Sequence, residues 1–168
     1  ELIKEVRFFA RHTGPSLSPF NAWILSKSLE TLAVRMERHC SSALELAKHM
    51  EKQKDVIKVK YPFLPSHPQH ALAKKQMKHG GGMVTFELSG GIDRGRKFLN
   101  SLKMISHSAN LGDTRTIATH PASTTHSKLS DEERAAVGIT PGLIRISVGW
   151  EKLSDIIADI DQAVASSR

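Results

Sequence analysis

The stretch Leu143-Ile144-Arg145-Ile146-Ser147-Val148-Gly149 decides the fold. Ile144, Ile146 and Val148 alternate with Arg145 and Ser147, the period-two pattern of a strand with one apolar and one polar face. Leu153, Ile156, Ile157, Ile160 and Val164 then recur at helical spacing and predict an amphipathic helix that closes the chain. Working backwards, Val84, Phe86 and Leu88 alternate with Thr85 and Glu87 between the Gly80-Gly81-Gly82 run and Gly90-Gly91. Ile57, Val59 and Tyr61 alternate with Lys58 and Lys60, a half-buried strand with a charged outer face. Short apolar pieces at 104–109 and 116–119 predict two lesser strands.

Helical spacing fills the gaps. Leu2, Ile3, Val6, Phe9 and Ala10 predict a first short helix, broken by Gly14 and Pro15. Ser18-Pro19 has the form of an N-cap followed by Pro at the first helical position and opens a helix over 19–29. A longer helix over 31–52 carries Leu32, Met36, Cys40, Ala43, Ala47 and Met50 along one stripe. Pro62, Pro65 and Pro68 mark an extended loop, and 69–78 and 93–102 predict further helices, the latter with Phe98, Leu99 and Leu102 inward. Ser130-Asp131-Glu132-Glu133 is a capping box for a short helix to Val137. There is no Gly-rich strand–turn–helix unit of a nucleotide fold. The pattern predicts an α+β domain, a small, mostly antiparallel sheet with helices packed on one face.

At 168 residues and 18.6 kDa, with 39% hydrophobic and 24% charged residues, the chain can build one real core and is not a disordered tail. No apolar run has the length of a membrane span, which predicts no membrane partner. A lone Cys40 forms no internal disulfide and suits a reducing cytoplasm. The chain opens at Glu1, inside a predicted helix and without Met, which suggests a piece of something longer.

The 24 Lys and Arg against 17 Asp and Glu give a net charge of +7, which raises the question of nucleic acid. The excess lies in residues 1–81, with 14 basic against 7 acidic, while 82–168 carries 10 of each. Aromatics are only 5% and do not interleave with the basic residues as stacking platforms would. The charge predicts a solvated face rather than a nucleic-acid interface.

Nine histidines invite a metal reading, yet no pair has the i,i+4 spacing with a carboxylate that a zinc hydrolase needs, so no metal site is expected. His39 and Cys40 are neighbours on a helix and point about 100° apart, which excludes a thiolate–base pair. Cys40 falls on the apolar stripe as a buried, inert thiol. The Gly80–Gly82 run precedes a strand, not a helix N-terminus, and is expected to be a flexible loop rather than a phosphate cradle. Arg145 is different. An Arg in mid-strand, preceded by the turn Asn110-Leu111-Gly112-Asp113 and the polar loop His120–His126, can grip a carboxylate through its planar fork. It can equally pair with Glu151 or meet solvent.

Four stretches carry a resemblance: GPSLSPFN (14–21), TLAVRMERH (31–39), NLGDTRTIATHPASTTHS (110–127) and GITPGLIRISVGWE (138–151). In this order they resemble the C-terminal part of the cysteine and methionine metabolism enzymes that depend on pyridoxal phosphate, the trans-sulfuration family. The resemblance implies the small C-terminal domain (31–168) of a fold-type I enzyme, with residues 1–30 as helices leading in from a large domain of the same chain. It implies that Arg145 binds the substrate α-carboxylate, with Asn110 beside it and Thr125 near the same spot. Asn110 with Asp113 resembles the O-acetylhomoserine or O-succinylhomoserine sulfhydrylase branch more than the lyases. The implied reaction is a γ-replacement on an O-acylhomoserine by sulfide or a thiol, with methionine γ-lyase and the cystathionine enzymes as alternatives. A homotetramer and a small amino-acid substrate are implied as well. The family's cofactor-bearing lysine, in a Ser-x-Thr-Lys-type motif, is absent here, so the chain alone is expected to be inactive and the cofactor to be held mainly by the large domain. A stand-alone binding or assembly module is the competing class.

Overall fold

The structure, a computed structural model, describes residues 1–14 and 17–168. It divides into two compact units, Glu1–Val34 and Arg35–Arg168. In the first, α1 (Leu2–Thr13) ends where Gly14 turns left-handed at φ 60°, which a residue without Cβ adopts at no steric cost. The break expected at Pro15 lies outside the described residues. Ser18 Oγ accepts the N–H of Asn21 at 3.2 Å and Pro19 opens α2 (Pro19–Leu29), so the anticipated cap forms. Neither α1 nor α2 buries a residue. No helix among the described residues is long and apolar enough to cross a membrane.

The second unit takes most of α3 (Leu32–Met50) and a five-stranded sheet: β1 (Val56–Lys60), β2 (Met83–Leu88), β3 (Ser106–His107), β4 (Ile117–Thr119) and β5 (Leu143–Ser147). The spatial order is β1-β2-β5-β4-β3, antiparallel throughout except for the β3–β4 pair. This is the α+β architecture that the periodicities predict. Between the strands lie α4 (His70–Gln76), α5 (Gly91–Ser101) and α6 (Asp131–Ala136), and α7 (Leu153–Ser166) follows β5. Ser130 and Glu133 close the capping box of α6 with both reciprocal bonds.

β5 sits in the middle. Its register sets Ile144 opposite Phe86, and Ile146 opposite both Val84 and Ala118, all on the buried face. Ala43, Leu46, Ala47 and Met50 of α3, Phe98 of α5, and Ile156 and Ile160 of α7 complete one core on that face. Phe86 and Phe98 cross edge to face at 5.8 Å. The opposite face brings Lys60, Thr85, Arg145 and Thr119 into register across four strands.

Two local expectations are corrected. Ile57 is 65% exposed, because the β1–β2 pairing shifts between Val56 and Lys58. One extra residue reverses the alternation there, so Val56 and Val59 take the half-buried places while Tyr61 is buried as expected. The Gly80–Gly82 run is a loop as expected, but it is packed at Gly80 and Gly82 and open only at Gly81. A Cβ at Gly80 would stand 2.6 Å from the Tyr61 ring, and one at Gly82 would stand 3.3 Å from His39 Cβ. The Tyr61 hydroxyl donates to the Gly81 carbonyl at 2.9 Å.

Candidate functional site

Arg145 projects from the polar face of β5, as the alternation requires, and is half-buried. Its Nη2 donates to the carbonyls of Ala109 at 2.6 Å and Asn110 at 3.3 Å. These belong to the loop between β3 and β4, so a strand side chain reaches across and fixes the Asn110 turn. Two positions along the same face, Ser147 Oγ accepts the Gly112 N–H at 3.0 Å. Gly112 lies at φ 79°, where an L residue would be strained. Asp113 closes the turn. The Arg115 backbone N–H, and then its guanidinium, hold the Asp113 carboxyl down at about 2.

The alternative partner for Arg145 is engaged elsewhere. Glu151 accepts the Thr116 N–H at 2.6 Å and its hydroxyl at 2.7 Å. The Trp150 N–H donates to the Thr114 carbonyl at 2.8 Å, and the Gly149 N–H to Thr116 Oγ1 at 2.9 Å. Residues 109–116 are thereby tied, bond by bond, along β5 and the turn that follows it. Among the described residues Arg145 has no carboxylate at ion-pair distance, and its Nε and Nη1 carry no hydrogen bond. A guanidinium with two carbonyls on one nitrogen and no counter-charge keeps the N–H groups of its other two nitrogens as donors that an anion can take.

The other expected residues are placed less directly. Asn110 is exposed, with its N–H on Ser108 Oγ at 3.1 Å and its carbonyl on Arg145. Thr125 is also exposed, and its hydroxyl lies 2.8 Å from His126 Nδ1 rather than on Arg145. Thr119, in register with Arg145, meets the Thr124 hydroxyl at 3.1 Å. The 120–127 loop therefore reaches the edge of the site through Thr124. His120 anchors that loop. Fully buried, it touches Ser123 Oγ and the Pro141 carbonyl, each at 2.7 Å, and burial pushes its pKa down against the pull of that carbonyl.

The remaining reactive side chains are structural. His39 Nδ1 donates to the Val148 carbonyl at 2.5 Å and Nε2 accepts the Trp150 indole N–H at 2.7 Å, which fixes one neutral tautomer. Cys40 is buried, and desolvation raises its pKa despite a backbone contact with Gly81. No cluster of three or more metal-ligating side chains occurs among the described residues. Ser147 was visible in the alternation beside Arg145. The Glu151–Thr116 clamp gave no signal, since its partners lie 35 residues apart.

A family model for Cys/Met metabolism PLP-dependent enzymes matches residues 1–165. An O-succinylhomoserine sulfhydrylase from Pseudomonas aeruginosa is 48% identical over 99% of this chain and 41% of its own length. An L-methionine gamma-lyase from Fusobacterium nucleatum is 46% identical over 98% of this chain and 42% of its own. A crystal structure described as a candidate O-acetylhomoserine (thiol)-lyase from Campylobacter jejuni, with N'-pyridoxyl-lysine-5'-monophosphate, superposes at a TM-score of 0.86. It is 40% identical, with 98% of this chain and 39% of that one covered. The chain thus spans about two fifths of the length of these relatives.

Proposed function

The chain belongs to the Cys/Met metabolism PLP-dependent enzyme family, and on that premise we propose that it grips the α-carboxylate of the amino-acid substrate in a γ-replacement enzyme. The cofactor is proposed to be held mainly by the large domain. In the glycine run that could have cradled a phosphate, Gly80 packs on Tyr61 and Gly82 on His39, and the sequence has no Ser-x-Thr-Lys motif. Pyridoxal phosphate, when bound, supplies an electron sink for carbanions beside the substrate nitrogen. What this chain adds is geometry.

The observation that carries the proposal is Arg145, with Nη2 on two carbonyls and no carboxylate partner among the described residues. The N–H groups that the two carbonyls leave open on Nε and Nη1 are the donors offered to the substrate carboxylate, and the Asn110 amide stands at the rim of the same turn. Thr125 is the outermost of the three proposed substrate contacts. Fixing the carboxylate fixes which bond at Cα faces the chemistry, which is an orientation effect. The substrate proposed is O-acetyl- or O-succinylhomoserine, with sulfide or a thiol replacing the acyloxy group at Cγ. Residues 1–30 are proposed to lead in from a large domain that holds the cofactor, 31–168 to form the small domain, and the whole to assemble as a tetramer.

A second reading, elimination from methionine, is favoured by the methionine gamma-lyase relatives, whose identities match those of the sulfhydrylases. One experiment separates them. Full-length protein is given O-succinyl- or O-acetylhomoserine with sulfide, and methionine in parallel. Homocysteine from the first supports replacement, and methanethiol with 2-oxobutanoate from the second supports elimination. Absence of both, with no absorbing cofactor, points to a non-catalytic module.

A further inference from the structure

We infer that Ser147 is a positioning residue for the carboxylate grip, acting through Gly112 on the Asn110 turn and through that turn on Arg145. The inference rests on the reading of Arg145 as the carboxylate anchor. Ser147 is 4% exposed and lies in register with Met83 and Ile117, among neighbours where a β-branched apolar residue would pack at least as well. A buried hydroxyl there is unfavourable unless it is used. Its oxygen takes no part in the strand ladder. It accepts instead the Gly112 N–H at 3.0 Å.

The loop is held at two levels. Its far end is fixed by Trp150 N–H on Thr114 and by the Glu151 clamp on Thr116. Its near end, residues 109–112, is held by Arg145 from one side and Ser147 from the other. Without the Ser147 acceptor, the strand-based restraint left on that near end among the described residues is Arg145 itself. The same guanidinium that must present Nε and Nη1 to a ligand would then have to hold the loop alone. Ser147 frees Arg145 from that task by setting the height of the turn, so the two carbonyls meet Nη2 with the guanidinium plane already oriented.

The test uses the full-length, cofactor-loaded protein in four forms: wild type, Ser147→Ala, Arg145→Ala and the double variant. Steady-state kinetics on the amino-acid substrate are measured together with hydrogen–deuterium exchange of the 109–113 segment. Ser147→Ala is expected to raise KM by roughly five- to tenfold, the size of one hydrogen bond, with kcat changed far less. Exchange in 109–113 rises and the cofactor absorbance stays the same. In the Arg145→Ala background the same substitution changes kcat/KM by less than about twofold, because the two residues act on one interaction.

An unchanged KM, or an equal loss in both backgrounds, overturns the positioning role and leaves the anchor standing. A Ser147→Ala protein that unfolds or loses its cofactor band overturns it too, since Ser147 would then serve the fold. If Arg145→Ala leaves kcat/KM unchanged, the anchor reading itself falls and the positioning role with it.

Discussion

Asp159 offers the most direct test of what holds the site's scaffold in place. It sits on α7, 6% exposed, with Oδ1 accepting the Lys103 N–H and Oδ2 the N–H groups of Met104 and Ile105, all at 2.9 Å. Gln162 Nε2 adds a fourth donor at 3.0 Å. One carboxylate thus satisfies three consecutive backbone donors on the path from α5 into β3. In Asp159→Ala, Ile105 is buried and its orphaned N–H costs about 2 kcal/mol, while Lys103 and Met104 reach water and lose about 1 kcal/mol each. The expected loss is about 4 kcal/mol. Asp159→Asn keeps a carbonyl oxygen for Met104 and Ile105 and turns its amide toward Lys103, so about 1–2 kcal/mol is expected. Burial alone would raise the Asp159 pKa, but the bonds from Ile105, Lys103 and Met104 outweigh it and the net shift is downward. The stabilisation is therefore complete above the unfolded value of about 3.9 and lost as pH falls through the lower folded value. Urea unfolding at pH 7 and at successively lower pH measures this. The wild-type advantage over Asp159→Ala should shrink below about pH 4. A loss under about 1 kcal/mol, or a gap that does not change with pH, would refute the reasoning.

Four shorter predictions accompany it. Arg145→Ala in the full-length protein should lower kcat/KM by roughly a hundredfold, about 3 kcal/mol, with cofactor absorbance intact, and Arg145→Lys should recover little because an ammonium has no planar fork. Gly149→Ala should lower the Tm sharply, since its Cβ would stand 2.4 Å from the Thr116 nitrogen and 2.5 Å from both the Arg115 carbonyl carbon and a Glu151 oxygen. A melting curve within a degree of wild type would show that the backbone there can yield. Tyr61→Phe removes the donor to the Gly81 carbonyl and should cost about 1 kcal/mol by chemical unfolding. Cys40, buried and with its pKa raised, should react with a thiol-specific disulfide reagent only as urea unfolds the chain, and rapid labelling of the native protein would contradict its burial.

Elements whose signal is local were legible. The alternations of β2 and β5, the stripe of α7 and the Ser130 capping box each depend on residues a few places apart, and each appears where the pattern put it. Ile57 was misplaced because its orientation is decided by the register of a partner strand about thirty residues on, which no local alternation contains. The Gly80–Gly82 run misled for a related reason. Gly80 and Gly82 are required by Tyr61 and His39, side chains from elsewhere in the chain, and Gly81 by its φ of 84°. At the site, strand parity was enough to put Arg145 and Ser147 on one face. The turn around Asn110 was legible as a turn, but its attachment to Arg145 was not, because that depends on the loop being laid along β5. The Glu151 clamp was opaque, since a carboxylate two residues beyond Gly149 can face a loop 35 residues away only once the sheet exists.

β5 is flanked on both sides and carries Ile144 and Ile146 into the core at positions that alternate with Arg145 and Ser147. Stability and recognition are therefore written on the two faces of a single ribbon and cannot be tuned apart by editing that ribbon. A larger residue at 144 or 146 overpacks the core on the strand that also carries the guanidinium. If Arg145 anchors a carboxylate as proposed, the 109–113 loop is the part of the site that can be edited without touching the core. It touches the grip from the outside and contributes no buried hydrophobic side chain to the core.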